Sequence, residues 1–378
     1  MSQRILYVSG TRADFGLMAR TLRRISATEG LSLGVAATGM HLSERYGMTV
    51  NEIEAAGLTV ELRIPVDVDH TTGEAMASAV GIITQGLAAH LAQHRPDAVL
   101  LLGDRGEMLA AAIAALYQNI PVIHLHGGER SGTVDEPVRH AISKLSHYHF
   151  VATPGARERL VRMGEAPDRI HVTGAPGLDG LAEIPRPERA AWCRGHGLDP
   201  ERPVALFVFH PVVQSAGEAA AQARAAVAGL RDAGLQLLAL MPNADAGGNA
   251  VRAVLEEASA QGALRVLTHW PRDRYLEALS VVDLLAGNSS SGIIESASFQ
   301  LPVLNIGDRQ RDREQSGNAI DVAPDREAVC ASARAALALP GRGGWTNIYG
   351  DGQAADRIAH LLRTLPLDRA LLEKTNAY

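Results

Sequence analysis

Short apolar runs recur along the chain, each followed by a longer stretch in which apolar positions return at three- and four-residue intervals. This is the pattern of β-strands buried on both faces and joined by amphipathic helices, as in parallel βαβ units. In the first half it predicts strands at 5–9, 33–38, 98–103, 122–126, 150–152 and 170–173, with helices at 17–26, 75–94, 107–117, 138–146 and 156–163. Strands restart at 204–209, 235–241, 265–267, 284–286 and 303–305, so a second doubly wound unit follows the first. Between them the pattern breaks: Pro185, Pro187, Pro200 and Pro203 stand among charged residues, as in a connecting segment with a short helix at 190–195. The expected fold is α/β, with Rossmann-like doubly wound domains at 1–181 and 204–353 joined by a linker at 182–203. Helices predicted at 354–365 and 368–374 are expected to pack back on the N-terminal domain. Two such sheets facing one another make a cleft of strand carboxyl ends, where open parallel sheets bind ligands.

Composition narrows the function classes. The chain has 378 residues, and 46% are hydrophobic, enough for two cores. A formal charge of -6 provides no basic face for nucleic acid. Cys193 and Cys330 are too few for a disulfide framework or a thiolate metal site. The longest apolar run, 108–117, falls short of the roughly 20 residues that cross a bilayer, and the first apolar run is too short for a signal peptide. A soluble cytoplasmic protein without nucleic-acid or membrane partners is expected.

The chemistry concentrates in polar clusters placed directly after predicted strands. In Leu284-Leu285-Ala286-Gly287-Asn288-Ser289-Ser290-Ser291-Gly292-Ile293-Ile294-Glu295, an apolar strand runs into three hydroxyls at a helix start. Unpaired backbone N–H groups and serine hydroxyls make a phosphate cradle there, and Glu295 can accept from a ribose diol; an ordinary Ser/Asn N-cap is the plainer alternative. Gly10-Thr11-Arg12-Ala13-Asp14 offers backbone amides and a guanidinium to phosphate, or forms a capped strand-to-helix turn. Neither a GxGxxG nor a Walker A loop is present, which disfavours a bound dinucleotide or a P-loop. Asp104 beside Arg105, Glu129 after the strand at 122–126, and the Asp135-Glu136 pair bring carboxylates to neighbouring strand ends, as acid/base work on a sugar ring requires. His210 ends the strand at 204–209, where it can stabilise a departing diphosphate. Arg309, Arg311 and Arg313 alternate after the last strand as a phosphate clamp or a solvated charge run. The pairs His90/His94, His124/His126 and His147/His149 lack cysteine partners or an HExxH frame and read as satisfied core or surface histidines.

Together these segments resemble the hydrolysing UDP-N-acetylglucosamine 2-epimerase family of bacterial sialic and legionaminic acid pathways. The matching runs are Gly10-Thr11-Arg12-Ala13-Asp14, Thr38-Gly39-Met40-His41, Gly103-Asp104-Arg105, His126-Gly127-Gly128-Glu129, Arg139-His140-Ala141-Ile142-Ser143-Lys144, residues 287–295 and Asn305-Ile306-Gly307-Asp308-Arg309-Gln310. The resemblance implies the glycosyltransferase-B type of two-domain fold. It also implies Asp104, Glu129 and Glu136 as catalytic carboxylates, with Asp135 a close substitute for the third, and His210 assisting loss of UDP. Arg12, Arg105, Arg309, Asn288, Ser289, Ser290, Ser291, Gly292, Glu295 and the backbone near His269 would hold UDP. His210-Pro211-Val212 stands where non-hydrolysing relatives carry a histidine-arginine-arginine run, which favours the hydrolysing branch. No metal or cofactor is implied, and homodimers or homotetramers are.

The implied reaction is anti elimination of UDP from UDP-N-acetylglucosamine and hydration with inversion at C2, giving UDP and N-acetylmannosamine. One alternative is the same reaction on UDP-2,4-diacetamido-2,4,6-trideoxyglucose, whose enzymes share every motif above. A second is a UDP-sugar transferase of the same fold, and a third is a nucleotide-sugar binding module with a dead site.

Overall fold

The computed structural model describes residues 2–268, 270–339 and 343–378. In chain order the first half reads β1 (Gln3–Ser9), α1 (Arg12–Ser26), β2 (Leu31–Thr38), α2 (Val50–Ala55), β3 (Val60–Ile64), α3 (Gly73–Gln93), β4 (Ala98–Leu102), α4 (Gly106–Leu116), β5 (Val122–Leu125), α5 (Asp135–Leu145), β6 (Tyr148–Val151), α6 (Pro154–Arg162) and β7 (Ile170–Val172). The second half reads α7 (Arg189–Gly195), β8 (Val204–Val208), α8 (Ala219–Asp232), β9 (Gln236–Leu240), α9 (Gly248–Ala260), β10 (Arg265–Leu267), α10 (Arg272–Val281), β11 (Leu284–Gly287), α11 (Ser290–Ile294), β12 (Val303–Ile306), β13 (Ala319–Val322), α12 (Arg326–Leu337) and α13 (Ala354–Thr364). One sheet has the order β3-β2-β1-β4-β5-β6-β7 and the other β10-β9-β8-β11-β12-β13, with every pairing parallel.

The central strands formed where the apolar runs placed them, because helices cover both faces: β4 and β8 are buried throughout. The pattern did not reveal β3 and β13. They are edge strands, largely half-buried, and their charged or polar positions hide the strand signal. The segment expected as a linker is more than a connector. Trp192 and Cys193 of α7 enter the apolar core of the second domain, and Arg189 pairs with Asp283 at 2.8 Å. Helix α13 lies against α1, burying Ile358 and Leu362 in the core of the first domain.

One helix departs from the membrane expectation. By length and composition α3 is apolar enough to span a bilayer, and most of its apolar window is uncovered. Its inner face packs Ile83, Leu87 and Leu91 into the core, while Ile82 is exposed.

The loop after β12 ties the two domains together. Arg130 meets Asp312 at 2.8 Å, Arg159 meets Glu314 at 3.2 Å, and Thr153 donates to Glu314. Gly132 lies so close to the Asp308 carbonyl that a Cβ would collide with it, so only glycine lets the loop settle here.

Candidate active site

The serine-rich side of the cleft, expected to hold phosphate, grows from β11. Gly287 sits at φ +132° against the Val208 carbonyl, where a side chain would clash, and the chain turns there into α11. Ser289 caps α11, its Oγ accepting from Ser291 N at 3.4 Å, and Tyr275 donates its hydroxyl to Ser291 Oγ at 2.7 Å. Ser289 and Ser290 line the cleft. Asn288 and Gly292 do not. Asn288 is buried and clamps the His210 backbone at 2.7 and 2.8 Å, while its carbonyl accepts from Arg309 and Gln310, both at 3.1 Å. Gly292 is buried against Val303. Both therefore shape the cradle from behind.

Next to the cradle lies a hollow walled by Leu17, Val208, Leu240, Trp270 and Tyr275, with Glu295 in it. Glu295 is 1% exposed and pairs with Arg272, which also donates to the Gly177 carbonyl at 2.8 Å. An apolar slot with a carboxylate inside suits a nucleobase and its ribose. Arg12 lines both hollows and donates to the Trp270 carbonyl. His269 lies outside the described residues.

On the facing side, Asp104 follows β4 and pairs with the buried guanidinium of Arg139 from α5. Burial opposes ionisation of Asp104, but Arg139, Arg313 and Arg309 outweigh it and hold its pKa below the usual value. Asp135, at the start of α5, is shifted the other way. Burial and the neighbouring charge of Asp104 raise its pKa against the pull of Arg309, 3.7 Å away. Two carboxyls pushed apart in this manner divide into one that stays ionised and one that keeps its proton to higher pH.

The other expected carboxylates lie elsewhere. Glu136 accepts from Ser131 N at 2.6 Å, faces His140 at 3.4 Å and is absent from the cavity wall, which Asp135 lines. Its position one residue along the first turn of α5 points it away. Glu129 is 2% exposed and lies under the wall, bound by Arg313 Nε at 2.9 Å and by His126 Nδ1. Burial opposes its charge, yet Arg313 and His126 carry its pKa far below the carboxylate range.

A cation and a neutral imidazole complete the cleft. Arg105 is held between Glu107 and Asp245, each at 3.2 Å, the latter from the opposite domain. Burial works against its charge, and Glu107, Asp245 and Asp135 more than restore it. His210 is different: burial, then the charge of Arg309, depress its pKa to about 3. Its Nδ1 accepts from Asn243 N at 3.2 Å, so the neutral ring carries its proton on Nε2. It can offer the cleft a neutral N–H donor, not the charge of an imidazolium. Among the other histidines, His124 is wholly buried with Nε2 2.7 Å from the Gly103 carbonyl and a pKa depressed to about 3 by burial. His147 and His149 are also core residues, whereas His126 lines the cavity.

A family model described as UDP-N-acetylglucosamine 2-epimerase matches residues 23–363. The chain belongs to the UDP-N-acetylglucosamine 2-epimerase family. It is 47% identical, over the full length of both chains, to a Legionella pneumophila protein named UDP-N,N'-diacetylbacillosamine 2-epimerase (hydrolyzing). It is 33% identical to a Neisseria meningitidis UDP-N-acetylglucosamine 2-epimerase, covering 84% of this chain and 83% of that one. The fold is similar to that of a crystal structure of the Neisseria meningitidis epimerase bound to UDP-GlcNAc, with TM-score 0.80, 20% identity and 95% and 99% of the two chains covered. The glycosyltransferase-B type of architecture expected for this 2-epimerase family member is the one observed.

Sequence reasoning passed over three residues that hold this site together. Asp245 follows β9, and the same strand-end rule that found Asp104 would have marked it. Arg139 stands in the run 139–144 and Arg313 among alternating arginines, and only the fold reveals their carboxylate partners.

Proposed function

We propose that the protein hydrolyses a UDP-2,4-diacetamido-2,4,6-trideoxyhexose to UDP and the free 2-epimeric sugar. The observation that carries the substrate is the 47% identity, without a gap in coverage, to the Legionella protein named for the diacetylbacillosamine nucleotide, against 33% to the Neisseria protein named for UDP-N-acetylglucosamine. This favours the alternative substrate over UDP-N-acetylglucosamine itself. Met40, Leu102 and Met241 in the cavity wall support a sugar lacking the C6 hydroxyl, since apolar surface suits a methyl group. UDP would rest between the serine cradle, Arg12, Arg105 and Arg309, with its ribose toward Glu295.

The geometry supports elimination followed by hydration. The cradle and the Nε2–H of His210 face the charge that develops on UDP as the C1–O bond breaks. Asp104 and Asp135, with their pKa values driven apart, supply an acceptor and a donor beside the sugar. The test is to incubate the protein with each UDP-sugar in D2O and follow UDP release and the free sugar by NMR. The expected result is inverted C2 carrying deuterium, and kcat/KM for the diacetamido substrate at least about tenfold higher, one carbon substituent's worth of discrimination. Preference for UDP-N-acetylglucosamine, or a product still bearing UDP, would overturn the proposal.

A further inference from the structure

The glutamate that resemblance assigns to chemistry on the sugar is sealed off from it. Both oxygens of Glu129 are engaged, one by Arg313 and the other by His126 Nδ1, and the residue contributes nothing to the cavity wall. His126 does contribute to that wall, with Asp104 and Asp135. Its backbone sits at φ +62°, a region that strains a residue with a Cβ and recurs at working sites. With Gly128 at φ +74°, the turn after β5 swings residue 126 toward the cleft and residue 129 beneath it.

The hydrogen bond to Glu129 also fixes the ring's tautomer. An ionised carboxylate at Nδ1 keeps the proton there and leaves the lone pair on Nε2. Arg139 ties this pair to the rest of the site, donating to the Glu129 carbonyl at 3.1 Å while pairing with Asp104. A carboxylate buried behind a histidine, with an arginine behind the carboxylate, is an arrangement that orients a base and stabilises its protonated form.

We propose that His126, oriented by Glu129, is the base that takes the proton from C2 of the UDP-sugar. The assignment rests on the 2-epimerase reading above. Nε2 bonds the C2 proton, the C–H electron pair becomes the C1–C2 double bond, and the C1–O pair leaves with UDP. C2 then receives a proton from Asp135, and a water oxygen bonds C1 with its spare proton passing to Asp104. That proton returns to Asp135, and His126 releases its own to solvent. One water is consumed, and UDP, a proton and the free sugar are formed. Glu129 is a positioning residue in this scheme, and His126 is the catalytic one.

The decisive variant is His126→Gly, since glycine accepts the positive φ and leaves a space the size of an imidazole. Turnover should fall at least about 10²-fold, UDP affinity by calorimetry should hold within about twofold, and added imidazole should restore turnover in step with its neutral fraction. Glu129→Gln should lose less. That loss should fall on kcat, with KM held within about twofold, as for a residue that orients the base without touching the substrate. Wild-type release of UDP tests the 2-epimerase reading on its own. Given that release, His126→Gly turnover within about threefold of wild type, or a loss that imidazole leaves unrestored, overturns the assignment of His126.

Discussion

Asp104 and Asp135 face one cavity with opposed environments, three arginines around the first and the charge of the first upon the second. That opposition predicts which member of the Asp135-Glu136 pair matters. Asp135→Asn should lower turnover at least about 10²-fold, the usual scale for a general acid. Glu136→Gln, outside the wall, should stay near wild type. Steady-state UDP release from the two variants checks this, and equal losses would contradict the geometry. At this scale the sequence was half legible. Residue types and spacing located the carboxylate cluster, but neighbours such as Asp135 and Glu136, or His126 and Glu129, are sorted by the local turn. A helix rotates by about 100° per residue, and a positive φ at His126 reverses a side chain's direction, neither of which a motif states.

The strands that carry the site were readable because a strand buried on both faces is a continuous apolar run, as β4, β5 and β8 show. The loop after β12 was not readable. Its arginines look like a solvated charge run until the fold lays them against the other domain, where Arg313 neutralises Glu129 and Arg309 approaches Asp135. This loop is therefore both a domain fastening and part of the cavity wall. Arg313→Leu should leave the Glu129 carboxylate buried beside His126 alone, and breaking a buried pair from one side costs about 3–5 kcal/mol. Denaturant unfolding should show that loss. A change below about 1 kcal/mol, the scale of an exposed pair, would mean that the loop opens to water.

The molecule as a whole carries several histidines held neutral inside it. Burial is the first cause of the depressed values of His124, to about 3, and His147, to about 4, with the charges of Lys374 and Arg169 adding to the latter. In the unfolded chain both would titrate near 6.5, so below that pH the unfolded state binds the extra protons and stability falls. Each such histidine should remove roughly 2 kcal/mol between pH 7 and pH 5 by this linkage. Melting temperatures across that range test it, with a steady loss on acidification expected; a flat profile would show that these rings protonate while folded. His147→Gln, which cannot titrate, should make the decline shallower.

Arg105 lies half-buried between a carboxylate of its own domain and Asp245 of the other. A small free anion must pull that guanidinium from two acids with only the serine cradle and the neighbouring arginines to hold it. A nucleotide anchored by its base and ribose some distance away can afford the exchange, because its phosphates arrive tethered. Inorganic phosphate is therefore expected to compete poorly for this cleft with a diphosphate that brings its own handle.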